Sequence, residues 1–112
     1  MIRVMPILPV LLMLSAGAME PPAAEDAEAL ALGRRILKVQ RAIGNPDGLE
    51  SLKAVTELGT DSRYYVMVRG WLVQQLAGDE SIAEAADGKP SGAVAARIRF
   101  LRKAIRAIDL EK

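Results

Sequence analysis

Residues 91–110 read SGAVAARIRFLRKAIRAIDL, and the spacing within them decides the fold. Val94, Ile98, Leu101, Ile105 and Ile108 recur at alternating steps of four and three, which is one face of an α-helix. Arg99, Arg102, Lys103 and Arg106 fall opposite that stripe, within roughly 100° of arc. Ser91 is a residue type that caps helix starts, because its hydroxyl can accept an otherwise orphaned backbone N–H. The reading is an amphipathic helix running to about Leu110.

Working outward, the same period recurs upstream. Asp87-Gly88-Lys89-Pro90 breaks a short, weak helix expected from Glu80 to Ala86. Before it, Asp61 or Ser62 can cap a third helix reaching about Ala77, with Gly78 as its end. A second helix is expected from Leu49 to Leu58, burying Leu49, Leu52, Val55 and Leu58 and stopping at Gly59. The first starts at Glu25 and carries the stripe Leu32, Ile36, Val39 and Ile43; Gly44-Asn45-Pro46-Asp47-Gly48 ends it. No segment alternates with period two for long enough to build a sheet, although Arg63–Leu72 is β-branched and aromatic. The fold class read from the sequence is all-α, a small bundle of four to five short helices over residues 25–112. Gly59–Gly78, with Asp61, Val68-Arg69 and Leu72, resembles the second helix of a HEAT-type repeat over about 20 residues; one copy makes no solenoid.

The N-terminus follows a different rule. Arg3 precedes an apolar run from Val4 to Leu14, interrupted by Pro6 and Pro9, and Ser15-Ala16-Gly17-Ala18 closes it with small residues. Basic, then apolar, then A-x-A is the order of a secretory signal peptide over residues 1–18. Cleavage is expected between Ala18 and Met19, leaving residues 19–24 as a flexible mature N-terminus held off regular structure by Pro21-Pro22. The apolar run is about 11 residues against the ~20 that span a bilayer, which weighs against an uncleaved anchor. A buried core segment is the other alternative. The chain contains no Cys, so the small-residue run is not a lipoprotein site. The location read from this pattern is exported, periplasmic or secreted, and the Ala, Arg and Leu runs fit a bacterial source.

Composition narrows the chemistry. Lys and Arg total 15 against 14 Asp and Glu, and Arg3 is the only charge before Met19, so the mature chain is close to neutral. Such a balance gives no diffuse draw toward nucleic acid, and no nucleic-acid partner is expected. Without His or Cys the chain lacks the commonest general base, thiolate chemistry and the usual zinc ligands. No enzymatic activity, metal or cofactor is expected.

The helix expected over 61–77 holds the candidate site. Tyr65, Val66, Val68, Leu72, Val73 and Leu76 share one broad apolar arc; Tyr64, Met67 and Trp71 make a second patch. Arg69 falls inside the main arc, where a charge needs a partner. It reads as an anion-binding residue, as an arginine that snorkels to the rim, or as half of an internal pair with Glu50, Glu57 or Asp79. Tyr64 and Trp71 read as core, as a partner-binding surface, or as a groove for a glycan or peptide. Arg99, Arg102, Lys103 and Arg106 form a candidate basic surface, against which the acids at 79, 80, 84 and 87 could act internally. The function read from these features is a small exported helical accessory protein of the cell envelope, with another envelope protein as partner. The alternatives are a peripheral protein using the basic last helix on an anionic membrane, and a small anion carrier centred on Arg69.

Overall fold

A computed structural model describes residues 24–111. The signal peptide expected at residues 1–18, the expected cleavage point and residues 19–23 lie outside the described part. Among the described residues the structure is all-helical, with four helices: α1 Ala24–Gly44, α2 Gly48–Gly59, α3 Tyr65–Ala85 and α4 Gly92–Glu111. The chain divides into two units, Met1–Ala31 and Leu32–Lys112, and the packing described below is that of the second.

The core is built from the stripes. Val39, Ala42 and Ile43 of α1, Val55 and Leu58 of α2, Val68 and Leu72 of α3, and Leu101, Ala104 and Ile108 of α4 form one buried cluster. The α3–α4 pair is the main helix contact, and α2 packs on both. Ser91 caps α4 as its sequence implies, its Oγ accepting the Val94 N–H at 3.3 Å. On α4 the buried line runs through Leu101, Ala104 and Ile108, while Val94, Ile98 and Ile105 sit at its half-buried edge. Leu49, expected inside, is 78% exposed: the successive steps of three drift around the helix, which puts Leu49 about 180° from Leu58, on the face opposite buried Ser51, Val55 and Leu58.

Two expected boundaries moved. Gly78 does not end the third helix, so the segments expected at 61–77 and 80–86 are one helix. An interior glycine costs about 1 kcal/mol relative to Ala without breaking the hydrogen-bond ladder. The true stop lies one turn past Ala83. Asp87 adopts a left-handed φ of 55°, its N–H bonds Glu84 O at 3.1 Å, and the Gly88 N–H bonds Ala83 O at 2.9 Å. This is a Schellman closure with Asp where Gly is usual. At the other end, Asp61 heads a turn rather than the helix. Its carbonyl accepts the Tyr64 and Tyr65 N–H groups, and α3 begins at Tyr65.

Glycines provide a first test of this packing. A Cβ on Gly59 would sit 2.8 Å from Ile108 Cγ2 and 3.1 Å from Val68 Cγ1, both on stiff, buried side chains. Gly59→Ala should therefore destabilise by about 1–3 kcal/mol. A Cβ on Gly70 meets nothing within 4 Å, so Gly70→Ala should stabilise by up to about 1 kcal/mol. Urea titration of both variants checks the opposite signs, and a neutral Gly59→Ala would contradict the close approach of α2 to Ile108.

Candidate functional site

Helix α3 carries side chains to three places. Along its core line, at steps of four and seven, lie Val68, Leu72 and Asp79. Asp79 is an acid on an apolar stripe, and its side chain is 1% exposed. Arg97 of α4 meets it with two parallel bonds, Nε to Oδ2 and Nη2 to Oδ1, both 2.7 Å. The Gln75 amide adds a third at 3.2 Å. Arg97 Nη1 also donates to the Gly44 carbonyl at 3.0 Å, at the C-terminal end of α1, where a cation suits the helix dipole. One guanidinium thus joins α1, α3 and α4. Its bonds hold the Asp79 carboxyl below the usual carboxylate range and raise Arg97 further above neutrality, while burial opposes both shifts.

Arg69 and Trp71 leave α3 on opposite flanks of that line. Arg69 turns toward α4 and pairs with Asp109, Nε to Oδ1 at 3.0 Å and Nη2 to Oδ2 at 3.3 Å. The Tyr65 hydroxyl donates to the same Oδ1 at 2.5 Å. The bond to Asp109 pushes the Tyr65 phenol above its ordinary value and raises Arg69 as well. The internal pair expected for Arg69 is therefore present, but with Asp109 rather than Glu50, Glu57 or Asp79. The side chain is 42% exposed, not buried. The reason is that the apolar arc read from α3 extends beyond its packed part. Val66 is 79% and Val73 41% exposed, so Arg69 stands at the rim. An anion reaching Arg69 must compete with both oxygens of Asp109.

Tyr64 and Trp71 are half-buried and pack against the core cluster. The Arg63 guanidinium lies 5.1 Å above the Tyr64 ring and bonds both Asp61 oxygens, which brings the Asp61 carboxyl down to about 2. Trp71 lines an open groove of about 350 Å³ with Gln40 and Ile43 of α1 and Gln74, Gln75 and Gly78 of α3. The three residues of the sequence-derived site, Tyr64, Arg69 and Trp71, thus do not converge on one pocket. On α4, Arg102 pairs with Glu80 at 2.7 Å, whereas Arg99, Lys103 and Arg106 are exposed and form no ion pair among the described residues.

The Asp79–Arg97 pair escaped the sequence reading, yet both residues occupy core positions of their stripes. Arg97 lies four before Leu101, and Asp79 lies seven after Leu72. A charge on each of two apolar stripes was the available signal. Among the described residues no cluster of three or more His, Cys, Asp or Glu could hold a metal, and no helix is long and apolar enough to cross a membrane.

The fold and these contacts define an all-α helical domain cross-braced by arginine–aspartate pairs. No protein-family model, curated protein or solved structure matches this chain.

Proposed function

We propose that the chain is an exported accessory protein of the bacterial cell envelope whose helical domain works by binding another envelope protein. The observation that carries this reading is the order of residues 1–18: basic, then apolar, then Ala16-Gly17-Ala18. The arginine pairs support binding over catalysis, since Asp61, Asp79 and Asp109 are each held by a guanidinium. Exposed Val66 and Val73 on α3 add apolar surface beside Arg69 that a partner could cover. Expressed with its own N-terminus in a bacterial host, the recovered protein should begin at Met19 by N-terminal sequencing. Retention of Met1 would replace export of a soluble domain by anchoring. Cross-linking in the periplasm should capture one dominant envelope protein, and Val66→Asp should abolish that capture at unchanged melting temperature.

The runner-up, a peripheral membrane-surface protein, rests on α4. Arg99, Lys103 and Arg106 stand at steps of four and three on one exposed face. On that reading, vesicle binding rises with anionic lipid content and falls steeply with salt.

A further inference from the structure

The groove beside Trp71 gathers an unusual set of side chains. Gln40, Gln74 and Gln75 are the only glutamines in the sequence and Trp71 is the only tryptophan, and all four line this one depression. Ile43 and Gly78 complete it, and no charged residue lines it, in a chain where 26% of residues are charged. Gln75 is tied through its amide nitrogen to Asp79. The amides of Gln40 and Gln74 and the indole N–H of Trp71 make no hydrogen bond to protein among the described residues. The groove is therefore lined by part of an indole, by two amide groups that make no hydrogen bond to protein among the described residues, and by no charged side chain.

We infer that this groove binds a neutral oligosaccharide of N-acetylated hexosamines. A pyranose ring presents a flat face of C–H groups that stacks on an indole, and its hydroxyls meet side-chain amides as donor or acceptor. An acetamido group offers an N–H and a C=O together, the complement of what each glutamine amide presents. The volume of about 350 Å³ lies within the range of small-ligand sites, ~300–1,000 Å³. Peptide modes fit less well. Strand addition needs a sheet edge, and the described residues form only helices and turns. A docked helix needs a row of apolar pockets, and a proline-rich ligand a run of aromatics, whereas this groove has Ile43 and a single indole. The inference stands apart from the envelope-protein reading: it concerns another surface and holds wherever the chain works.

The probe is chitotetraose, followed by calorimetry and by Trp71 fluorescence, which has no competing tryptophan. Saturable heat, with a blue shift and protection from acrylamide, is the expected result. Gln74→Ala and Gln40→Ala, both at exposed positions, should each weaken binding about 2–10-fold at unchanged melting temperature. Gly78→Leu adds a branched side chain at a position that lines the groove and where a Cβ has nothing within 4 Å. It should abolish binding while the helix stays folded. Cellotetraose, with the same rings but no acetamido groups, should bind more weakly. No heat from chitotetraose, equal binding of cellotetraose, or full binding by folded Gly78→Leu would each overturn the assignment.

Discussion

Arg97→Met is expected to cost about 3–5 kcal/mol, because it strands the Asp79 carboxylate in the core and releases the Gly44 carbonyl. For a domain of this size that is a large part of the total stability, about 5–15 kcal/mol. Replacing both partners, Asp79→Leu with Arg97→Met, should recover most of the loss, since an apolar pair of similar volume needs no solvation. Chemical denaturation of the two singles and the double closes the cycle. Additive losses would mean that Arg97 acts through Gly44 and not through Asp79.

The pair also predicts how stability changes with acid. Arg97 holds the folded Asp79 carboxyl below its ordinary value, so near pH 4 the native state binds fewer protons than the unfolded chain. The contribution is complete above about pH 5 and is lost as pH falls through the ordinary carboxylate value, ~3.9, toward the lower folded one. Asp61, down at about 2, adds acid sensitivity of the same sign. Melting temperatures of wild type and Asp79→Asn should therefore converge between pH 5 and pH 3, with Asp61 common to both. A constant gap across that range would show that the Asp79 carboxylate is not the stabilising species.

Leu72→Ala should be the costliest apolar truncation on α3, about 2–5 kcal/mol, because Leu72 is fully buried and helices on several sides fix the void it would leave. At roughly 4–8 °C per kcal/mol for a domain of this size, the melting temperature should fall by about 8 °C or more. Val73→Ala, one residue on, should change stability by no more than about 0.5 kcal/mol, because Val73 is exposed. Equal losses at both positions would mean that α3 is rotated about its axis from the arrangement described.

That contrast between neighbours marks the boundary of what the sequence could say. Helix existence was legible throughout, because period and stop signals are local: the stripes through Val39–Ile43 and Leu101–Ile108, the Gly44–Gly48 turn and the Ser91 cap all reappear. Which part of each stripe is buried was not local. On α3, apolar residues surround much of the helix, and only the positions of α2 and α4 separate buried Val68 and Leu72 from exposed Val66 and Val73. Gly78 illustrates the same limit. Its cost is small enough for the rest of α3 to override, and Asp79, pinned by Arg97, anchors the helix beyond it. The arginine partners were beyond local reading too. Arg69 and Asp109 stand 40 residues apart, and Asp79 and Arg97 stand 18 apart. Sequence alone determined that a charge on an apolar face needs a partner, since desolvation of a lone charge is prohibitive. Only the packing of α3 against α4 decided which acid meets which arginine, and only the approach of α1 to α3 placed Gln40 beside Trp71, Gln74 and Gln75.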